Sequence, residues 1–307
     1  MPDFVHKSET GMRLGIDWGG TKIEIIALDQ NGSTLLRERI KTPRDDYHGS
    51  IKAVAELVNM AETRLQQSGC VGMGIPGTIS PATGLVKNAN STWLNGKPLL
   101  SDMEDALSRP VRIQNDANCF TVSEAIDGAG AGHSIVAGLI LGTGCGAGIA
   151  LDGKALLGAQ GIAGEFGHTP LPYMTSDEFP GNSCWCGKRG CLETYISGTG
   201  FQRDYETRTG MPTPFGVEEI LALDDDMSRA SYHAYVDRLA RGLSTLINII
   251  DPDIIVLGGG MSNIDALYKD LPPLLAEYVF SDFVTTNITK AKHGDSSGVR
   301  GAAWLWP

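Results

Sequence analysis

The sequence lacks any hydrophobic run long enough to cross a membrane, and it lacks an excess of positive charge. Its longest apolar runs, Ile135–Leu141 and Ile254–Leu257, are far shorter than the roughly 20 residues of a membrane span. Asp and Glu number 36 against 25 Lys and Arg, which gives a net charge of −11. This balance argues against binding nucleic-acid phosphates by charge alone. No charged-then-apolar leader opens the chain, so we expect a cytoplasmic protein with no membrane or nucleic-acid partner.

The composition is that of a folded protein with unusually many glycines. The 307 residues are 42% hydrophobic and 20% charged, which excludes wholesale disorder. At about 150 residues per domain, this length predicts about two domains. Glycines number 39, well above the usual share of about 7%, and they cluster in turns. Residues 1–11 show no periodicity and are expected to form a loose tail.

A strand, a glycine-rich turn and a second strand occur twice along the chain, over Leu14–Leu28 and Leu139–Leu151. Two copies of one unit predict an internal duplication with a cleft between the halves. In the second copy we predict that the turn spans Gly142–Gly148. Apolar spacing further predicts strands over Arg13–Asp17, Lys22–Leu28, Thr34–Lys41, Cys70–Ile75, Val111–Gln114, Ser134–Leu141 and Asp253–Leu257. It predicts helices over residues 50–67, Asp116–Ile126, Ser228–Ile250, Ile264–Val279 and Ser296–Trp304.

Both glycine turns are candidate phosphate-binding sites. Glycines let backbone N–H groups approach a phosphate closely, and Thr21 adds a hydroxyl donor to the first turn. Neither turn is a Walker A loop, because no Gly-Lys-Ser/Thr follows four spacer residues. Each could also be a plain tight hairpin, but the matched pair favours phosphate binding. Asp17, at a strand end beside the first turn, suits a Mg²⁺-bound water.

Three cysteines lie within eight residues and predict a metal site. Cys184, Cys186 and Cys191 are accompanied by Gly187 and Gly190, which let the chain fold around an ion. Tetrahedral zinc needs a fourth ligand, and His168 is the nearest candidate upstream. A disulfide or inert thiols are the alternative. Disulfides are disfavoured in the cytosol, so we predict structural zinc.

Carboxylates near these motifs are candidate ligand-binding groups. Asn115 and Asp116 follow a predicted strand and open a predicted helix, a usual place for a ligand-facing residue. Asp116 could equally be a plain helix N-cap. Glu165 and Glu193 flank the predicted zinc ligands, so the metal would hold both in one neighbourhood. A solvated surface role is the alternative for these two.

Five motifs occur together in the order and spacing of one known family. They are Gly15–Lys22, Asn115–Asn118, Leu141–Gly148, Glu165–His168 and Cys184–Glu193. Together they resemble the ROK family of bacterial sugar kinases, over essentially Met12 to Pro307. Within it, the stretches Lys87–Gly96 and Gly294–Gly298 look most like fructokinases of the mannokinase type.

The resemblance implies an α/β actin/hexokinase-like fold, with two ribonuclease-H-like halves and a cleft between them. Residues 1–127 with 293–307 would form the first domain, and residues 128–292 would form the second, which carries the zinc loop. The implied activity is ATP-dependent phosphorylation of a free hexose at the 6-hydroxyl, with fructose preferred and mannose possible. The implied cofactors are Mg²⁺ and structural Zn²⁺, and a homodimer is implied as well.

The resemblance also assigns roles to individual residues. Asp116 would be the general base, in place of the N-cap role. The ATP site would comprise Gly15, Asp17, Gly19, Gly20, Thr21, Lys22, Gly142, Thr143, Gly144, Gly146, Gly148, Gly258, Gly259 and Gly260, the last three near the adenosine. The sugar hydroxyls would be held by Asn90, Asn115, Asp116, Glu165, His168 and Glu193. Zinc would be bound by His168, Cys184, Cys186 and Cys191.

Other activities within this family remain alternatives. A glucokinase or an N-acetylhexosamine kinase would use the same mechanism on another sugar. The family also includes sugar-sensing repressors, which carry an N-terminal helix-turn-helix domain. Only 14 residues precede Gly15, too few for such a domain. The acidic charge also disfavours a regulator.

Overall fold

The computed structural model describes residues 11–307 and contains two five-stranded sheets with the same strand order. The tail expected at residues 1–11 lies, apart from Gly11, outside the described residues. The strands are β1 (Arg13–Trp18), β2 (Lys22–Leu28), β3 (Thr34–Lys41), β4 (Cys70–Ile75), β5 (Thr78–Ile79), β6 (Val86–Lys87), β7 (Val111–Asn115), β8 (Ile135–Leu141), β9 (Cys145–Leu151), β10 (Lys154–Ala155), β11 (Ile254–Gly258) and β12 (Asn287–Lys290). The helices are α1 (Tyr47–Leu65), α2 (Leu99–Leu107), α3 (Asp116–Ile126), α4 (Glu193–Ile196), α5 (Gly198–Thr209), α6 (Val217–Leu223), α7 (Asp226–Ile250), α8 (Leu267–Tyr278) and α9 (Ser297–Ala303).

The two sheets repeat one pattern of strand directions. In the first sheet the order is β3-β2-β1-β4-β7, and in the second it is β10-β9-β8-β11-β12. Each begins with antiparallel strands and continues with parallel ones. This match confirms the predicted internal duplication. We refer to the first sheet with α1, α2 and α9 as the first lobe, and to the second sheet with α4–α8 as the second lobe.

Each lobe has its own hydrophobic core. In the first lobe, buried side chains of β1, β2 and β4 pack against α1 and α2. In the second lobe, buried side chains of β8 and β11 pack against α5, α7 and α8. The central parallel strands read as continuous apolar runs because both of their faces are covered. No helix among residues 11–307 is both long and apolar enough to cross a membrane.

Helix α9 packs on the first sheet at backbone contact distance. It contacts β1, β4 and α3. A Cβ added at Gly15 would lie 2.1 Å from the Val299 carbonyl oxygen, and one at Gly301 would lie 1.6 Å from the Cys119 carbonyl oxygen. Only glycine allows approaches this close. Gly15 is therefore a packing residue between β1 and α9, whatever its neighbours in the first turn do. The domain bounds at 127/128 and 292/293 stay a prediction.

The second glycine turn is shorter than the sequence predicts. Strand β9 begins at Cys145, so only residues 142–144 form the turn, and Gly146 and Gly148 pair with β8. A Cβ at Gly148 would lie 2.6 Å from Thr121 Oγ1 on α3. Gly148 is thus small so that α3 can pack on the sheet. Helices α2, α4, α5 and α6 and strand β12 were not predicted from the sequence.

Candidate active site

A cavity of about 760 Å³ lies between the two lobes. The first lobe and the start of α3 contribute Gly77, Asn88, Asn90, Asn115 and Asp116 to its lining, and the second lobe contributes Gly142, Thr143, Gly144, Cys145, Gly146, Ile162, Glu165, His168, Trp185, Cys186, Lys188 and Glu193. Of these residues, Gly77, Asn115 and Gly142 lie at the carboxyl ends of the parallel strands β4, β7 and β8, where open α/β sheets bind ligands. All six residues predicted to hold the sugar line this one cavity.

Asp116 is the first residue of α3, and Asn115 is the helix cap. The side chain of Asn115 accepts hydrogen bonds from the backbone N–H groups of Ala117 and Asn118. The N-cap alternative for Asp116 is therefore wrong, because the preceding residue already caps the helix. The amide nitrogen of Asn115 donates to the Gly77 carbonyl oxygen at 3.3 Å. Asn115 thus fixes the junction of β7 and α3, while the Asp116 carboxyl faces the cavity.

The Asp116 carboxyl is more basic than an ordinary aspartate. Burial and the charge of Glu165 together raise the pKa of Asp116 to about 6, although the hydrogen bond from the Ala117 backbone N–H lowers it. A carboxylate with its pKa near 6 is ionised at neutral pH and is still a useful proton acceptor. This geometry and basicity suit a general base.

We expect catalysis to decline in acid as Asp116 becomes protonated. Because the pKa is raised to about 6, the base form dominates above that pH and is lost below it. The value of kcat/KM should fall about tenfold per pH unit below the pKa. A pH–rate profile checks this, with circular dichroism at each pH to confirm that the protein stays folded. A flat profile down to pH 5 in folded protein would contradict the assignment.

Asp17 is a second carboxylate with an elevated pKa. Burial raises the pKa of Asp17 to about 7, and the charges of Asp116 and Glu24 raise it as well. Glu24 itself is buried and forms ion pairs with Arg37 and Arg39. The carboxylates of Asp17 and Asp116 therefore repel each other. Such a pair favours a bound cation or a proton.

The four predicted metal ligands lie together. Their side-chain ligand atoms are all within 4.8 Å of one another in the described residues, in the set His168, Cys184, Cys186 and Cys191. The Cys186 and Cys191 sulfurs are 3.6 Å apart, and Cys184 Sγ is 3.6 Å from His168 Nδ1. All three cysteines are free thiols. A positive φ of 86° at Gly187 turns the chain back between the cysteines.

Glu193 joins this loop to the second glycine turn. One carboxylate oxygen accepts from the Cys145 backbone N–H at 3.1 Å. The other accepts from the Trp185 indole N–H at 2.8 Å. Glu193 lines the cavity as expected, but it also positions both the turn and the cysteine loop.

A second cavity of about 590 Å³ adjoins the first and shares Gly142 and Thr143 with it. Its other lining residues are Gly198, Thr199, Gln202, Gly216, Val217, Glu218, Glu219, Gly260, Met261 and Ile264. The Thr199 hydroxyl donates to the Thr143 carbonyl oxygen at 2.8 Å, which ties α5 to the turn. Of these ten residues, only Gly260 was predicted from the sequence to belong to a ligand site. The run Ser197-Gly198-Thr199-Gly200 was an available signal, because a capping serine and small residues open α5 there.

The predicted ATP-site residues divide into two groups. Gly142, Thr143, Gly144, Gly146 and Gly260 line one or both cavities. The others lie outside the linings of these two cavities: Gly15, Asp17, Gly19, Gly20, Thr21, Lys22, Gly148, Gly258 and Gly259. A Cβ at Gly258 would lie 2.5 Å from the Phe120 ring, and Gly259 has a φ of +77° against the Leu141 backbone. A side chain at Gly258 or Gly259, as at Gly15 or Gly148, would therefore clash with a neighbouring part of the protein.

Comparisons with known proteins give one consistent result. A model described as the ROK family matches residues 13–307. The N-acetyl-D-glucosamine kinase of Escherichia coli O157:H7 is 42% identical over 301 residues, which cover 96% of this chain and 99% of that protein. The crystal structure of the ROK hexokinase from Thermus thermophilus has a TM-score of 0.84 and 28% identity, and covers 95% of this chain and 96% of its own.

A second solved structure includes ligands. The ROK family glucokinase from Streptomyces griseus, in complex with glucose and AMPPNP, has a TM-score of 0.77 and 27% identity, over 96% of this chain and 99% of its own. These neighbours confirm the expected actin/hexokinase-like fold. The expectation of a fructokinase is not supported, because the similarity to the N-acetyl-D-glucosamine kinase of Escherichia coli O157:H7 favours the N-acetylhexosamine alternative.

Proposed function

This chain belongs to the ROK family, and from that premise we propose that it is an ATP-dependent sugar kinase whose substrate is N-acetyl-D-glucosamine. The reaction proposed is phosphoryl transfer to the 6-hydroxyl of the sugar. The observation that carries the proposal is the cavity between the lobes, where Asp116, with its pKa raised to about 6, lies beside Glu165 and His168. The 42% identity to an N-acetyl-D-glucosamine kinase supports the choice of sugar.

The two adjoining cavities provide places for two substrates. The sugar would occupy the cavity that contains Asp116, and the adenosine of ATP would occupy the cavity beside α5 and α6. Gly142 and Thr143 line both, so the phosphates would pass along the turn between β8 and β9. Asn90, Glu165, His168 and Glu193 would then bind the sugar hydroxyls.

The proposed chemistry follows from where the base lies. The 6-hydroxyl is a weak nucleophile until a carboxylate accepts its proton, and Asp116 would accept it as the oxygen bonds to the γ-phosphorus. The bond between the γ-phosphorus and the β–γ bridging oxygen breaks, and ADP leaves. Approach of the lobes would exclude water, which would otherwise compete for the phosphoryl group.

We propose that Asp17 holds Mg²⁺ through a water molecule. Burial and the charges of Asp116 and Glu24 raise the pKa of Asp17 to about 7, and a cation would relieve the repulsion among these carboxylates. Carboxylate and water oxygens are also ligands that Mg²⁺ prefers. When bound, the ion supplies charge neutralisation of the β- and γ-phosphates.

We also propose that His168, Cys184, Cys186 and Cys191 bind structural zinc. A tetrahedral ion with Zn–S of about 2.3 Å and Zn–N of about 2.0 Å needs sulfur–sulfur separations of about 3.8 Å and sulfur–nitrogen separations of about 3.5 Å. The observed 3.6 Å for Cys186–Cys191 and 3.6 Å for Cys184–His168 fit this geometry. The metal would hold His168 in place beside the sugar and would fix the loop that Glu193 joins to the turn.

The homodimer also stays a proposal. The second lobe leaves large apolar side chains exposed near one another, with Ile249 74% exposed and Phe280 98% exposed. The Phe280 backbone N–H donates to the Asn248 side chain, so Phe280 lies beside the end of α7 that carries Ile249. Sedimentation or size-exclusion measurements would test whether that surface pairs.

The decisive experiment measures ADP release with Mg²⁺-ATP and a panel of sugars. The panel is N-acetylglucosamine, N-acetylmannosamine, glucose, mannose and fructose. We expect the highest kcat/KM with N-acetylglucosamine. Turnover confined to fructose would restore the fructokinase expectation and refute the proposed substrate. No turnover with any of the five sugars, together with sugar binding in calorimetry, would refute the kinase and indicate a sensor.

A further inference from the structure

Trp185 is a large apolar side chain that is exposed at the sugar cavity. It lines that cavity, and 67% of its surface is accessible. It lies between Cys184 and Cys186 and contributes nothing to either hydrophobic core. Neither the family match nor the proposed mechanism gives this side chain a role.

The indole ring is nevertheless held in one orientation. Its N–H donates to Glu193 Oε1 at 2.8 Å. Its ring meets the His168 imidazole edge to face, with centroids 5.0 Å apart and planes at 78°. The polar atom of the indole is therefore already satisfied within the protein, and the rest of the ring is open. A fixed, open aromatic surface binds an apolar group with little loss of side-chain entropy.

Trp185 lines the same cavity as Asp116 and contacts two of the residues proposed to bind the sugar. Its ring contacts the ring of His168, the last residue of the single 3-10 turn that follows Glu165. Its N–H donates to Glu193. With the 6-hydroxyl of a hexose at Asp116 and its other hydroxyls at His168 and Glu193, as proposed above, the C2 substituent would lie near Trp185.

A second exposed apolar side chain lines the same cavity. Ile162 is 42% exposed, whereas the apolar lining residues Pro76 and Ile140 are only partly exposed. The Ile162 carbonyl oxygen accepts from the Glu165 backbone N–H at 3.2 Å, so the backbone of Ile162 is fixed relative to Glu165. Trp185 and Ile162 are thus the two exposed large apolar side chains of this lining.

We propose that Trp185, assisted by Ile162, determines specificity by binding the methyl group of a 2-acetamido substituent. This inference rests on the proposed function, because it assumes a sugar oriented with its 6-hydroxyl at Asp116. The acetamido methyl is the one apolar group that distinguishes N-acetylglucosamine from glucose. Burying it against an aromatic ring is favourable, whereas the 2-hydroxyl of glucose gains nothing from that contact.

The test compares N-acetylglucosamine with glucose in wild-type protein, Trp185→Ala, Trp185→Phe and Ile162→Ala. We expect Trp185→Ala to lower kcat/KM for N-acetylglucosamine about 10- to 100-fold, mainly through KM, since a single apolar group discriminates to that extent. The value for glucose should fall by a smaller factor, because glucose loses only the effect of the broken hydrogen bond from Trp185 to Glu193. Trp185→Phe keeps an aromatic surface and should keep most of the preference. Ile162→Ala, outside the cysteine loop, should shift the preference in the same direction as Trp185→Ala but by less.

Three results separate the inference from the function on which it rests. An unchanged ratio of the two kcat/KM values in Trp185→Ala and Ile162→Ala would overturn the inference alone. An equal loss of kcat/KM with both sugars would also overturn the inference, because it indicates that Trp185 has a structural role in the loop. The zinc content of each variant is measured as a control. Absence of N-acetylglucosamine turnover in the wild-type protein would overturn the proposed function itself.

Discussion

Replacing Asp116 by Asn should lower turnover by about 10²-fold or more, in line with the contribution of general bases. The variant removes the proton acceptor but leaves the start of α3 intact, because Asn115 and not Asp116 caps the helix. Sugar binding should therefore persist while kcat falls. Steady-state ADP release and calorimetric titration with the sugar measure the two effects separately.

A matched control is available on the protein surface. Asp105 is an exposed aspartate on α2, outside both cavities. Asp105→Asn makes the same chemical change there and should leave turnover unaltered. Near-normal turnover in Asp116→Asn would exclude Asp116 as the base, and loss of sugar binding in that variant would indicate a ligand role instead.

Removing zinc should abolish sugar binding. Residues 184–191 contain three of the four proposed ligands and no regular helix. A bound ion would hold their three sulfurs close together. Without the ion, the loop should unfold, and His168 and Trp185 would lose their positions beside the cavity. Chelation followed by calorimetry measures the loss of binding, and limited proteolysis measures unfolding of the loop.

Cysteine variants make the zinc prediction specific. Cys191→Ser removes one proposed ligand, and Cys70→Ser changes a thiol on β4 that lies outside the cluster. We expect Cys191→Ser to lose zinc and sugar binding together, and Cys70→Ser to retain both. A stoichiometric assay that finds no zinc in natively purified wild-type protein would defeat the prediction.

Local patterns predicted the strands and the longer helices well. Strands β2, β3 and β4 and helix α3 have the predicted bounds. Strands β2 and β4 are apolar runs, whereas β3 is an exposed strand that follows the Asn31-Gly32 turn. The duplication was also recognisable, since the strand–turn–strand unit is local and occurs twice. The cysteine cluster could be predicted for the same reason, as three of its four residues lie in one short loop.

The roles of individual glycines could not be predicted from the sequence. A glycine that admits a phosphate and a glycine that admits a neighbouring helix are identical in the chain. Gly15 faces α9, some 280 residues later in sequence, and Gly148 faces α3. Only the tertiary contact distinguishes these glycines from Gly142, which has open space around it.

The second cavity was also beyond sequence reasoning. Its lining comes from four separate segments, at the turn after β8, at the starts of α5 and α6, and after β11. Helices α5 and α6 have weak apolar periodicity, so the sequence did not predict them. It therefore could not predict that they lie beside the turn between β8 and β9. The sequence also did not show whether Asn115 or Asp116 caps α3, because either of these adjacent polar residues can fill the one capping position.

The close packing of α9 on β1 and β4 has a consequence for how the protein is made. A ribosome completes all of the first sheet before it begins the second lobe, yet residues 297–303, which cover the first sheet, are synthesised only after the second lobe. Domains generally fold in order as they emerge from the ribosome. In this chain the order is reversed at the end: the lobe that emerges first is completed last, and a nascent chain stalled before residue 297 leaves β1 and β4 uncovered.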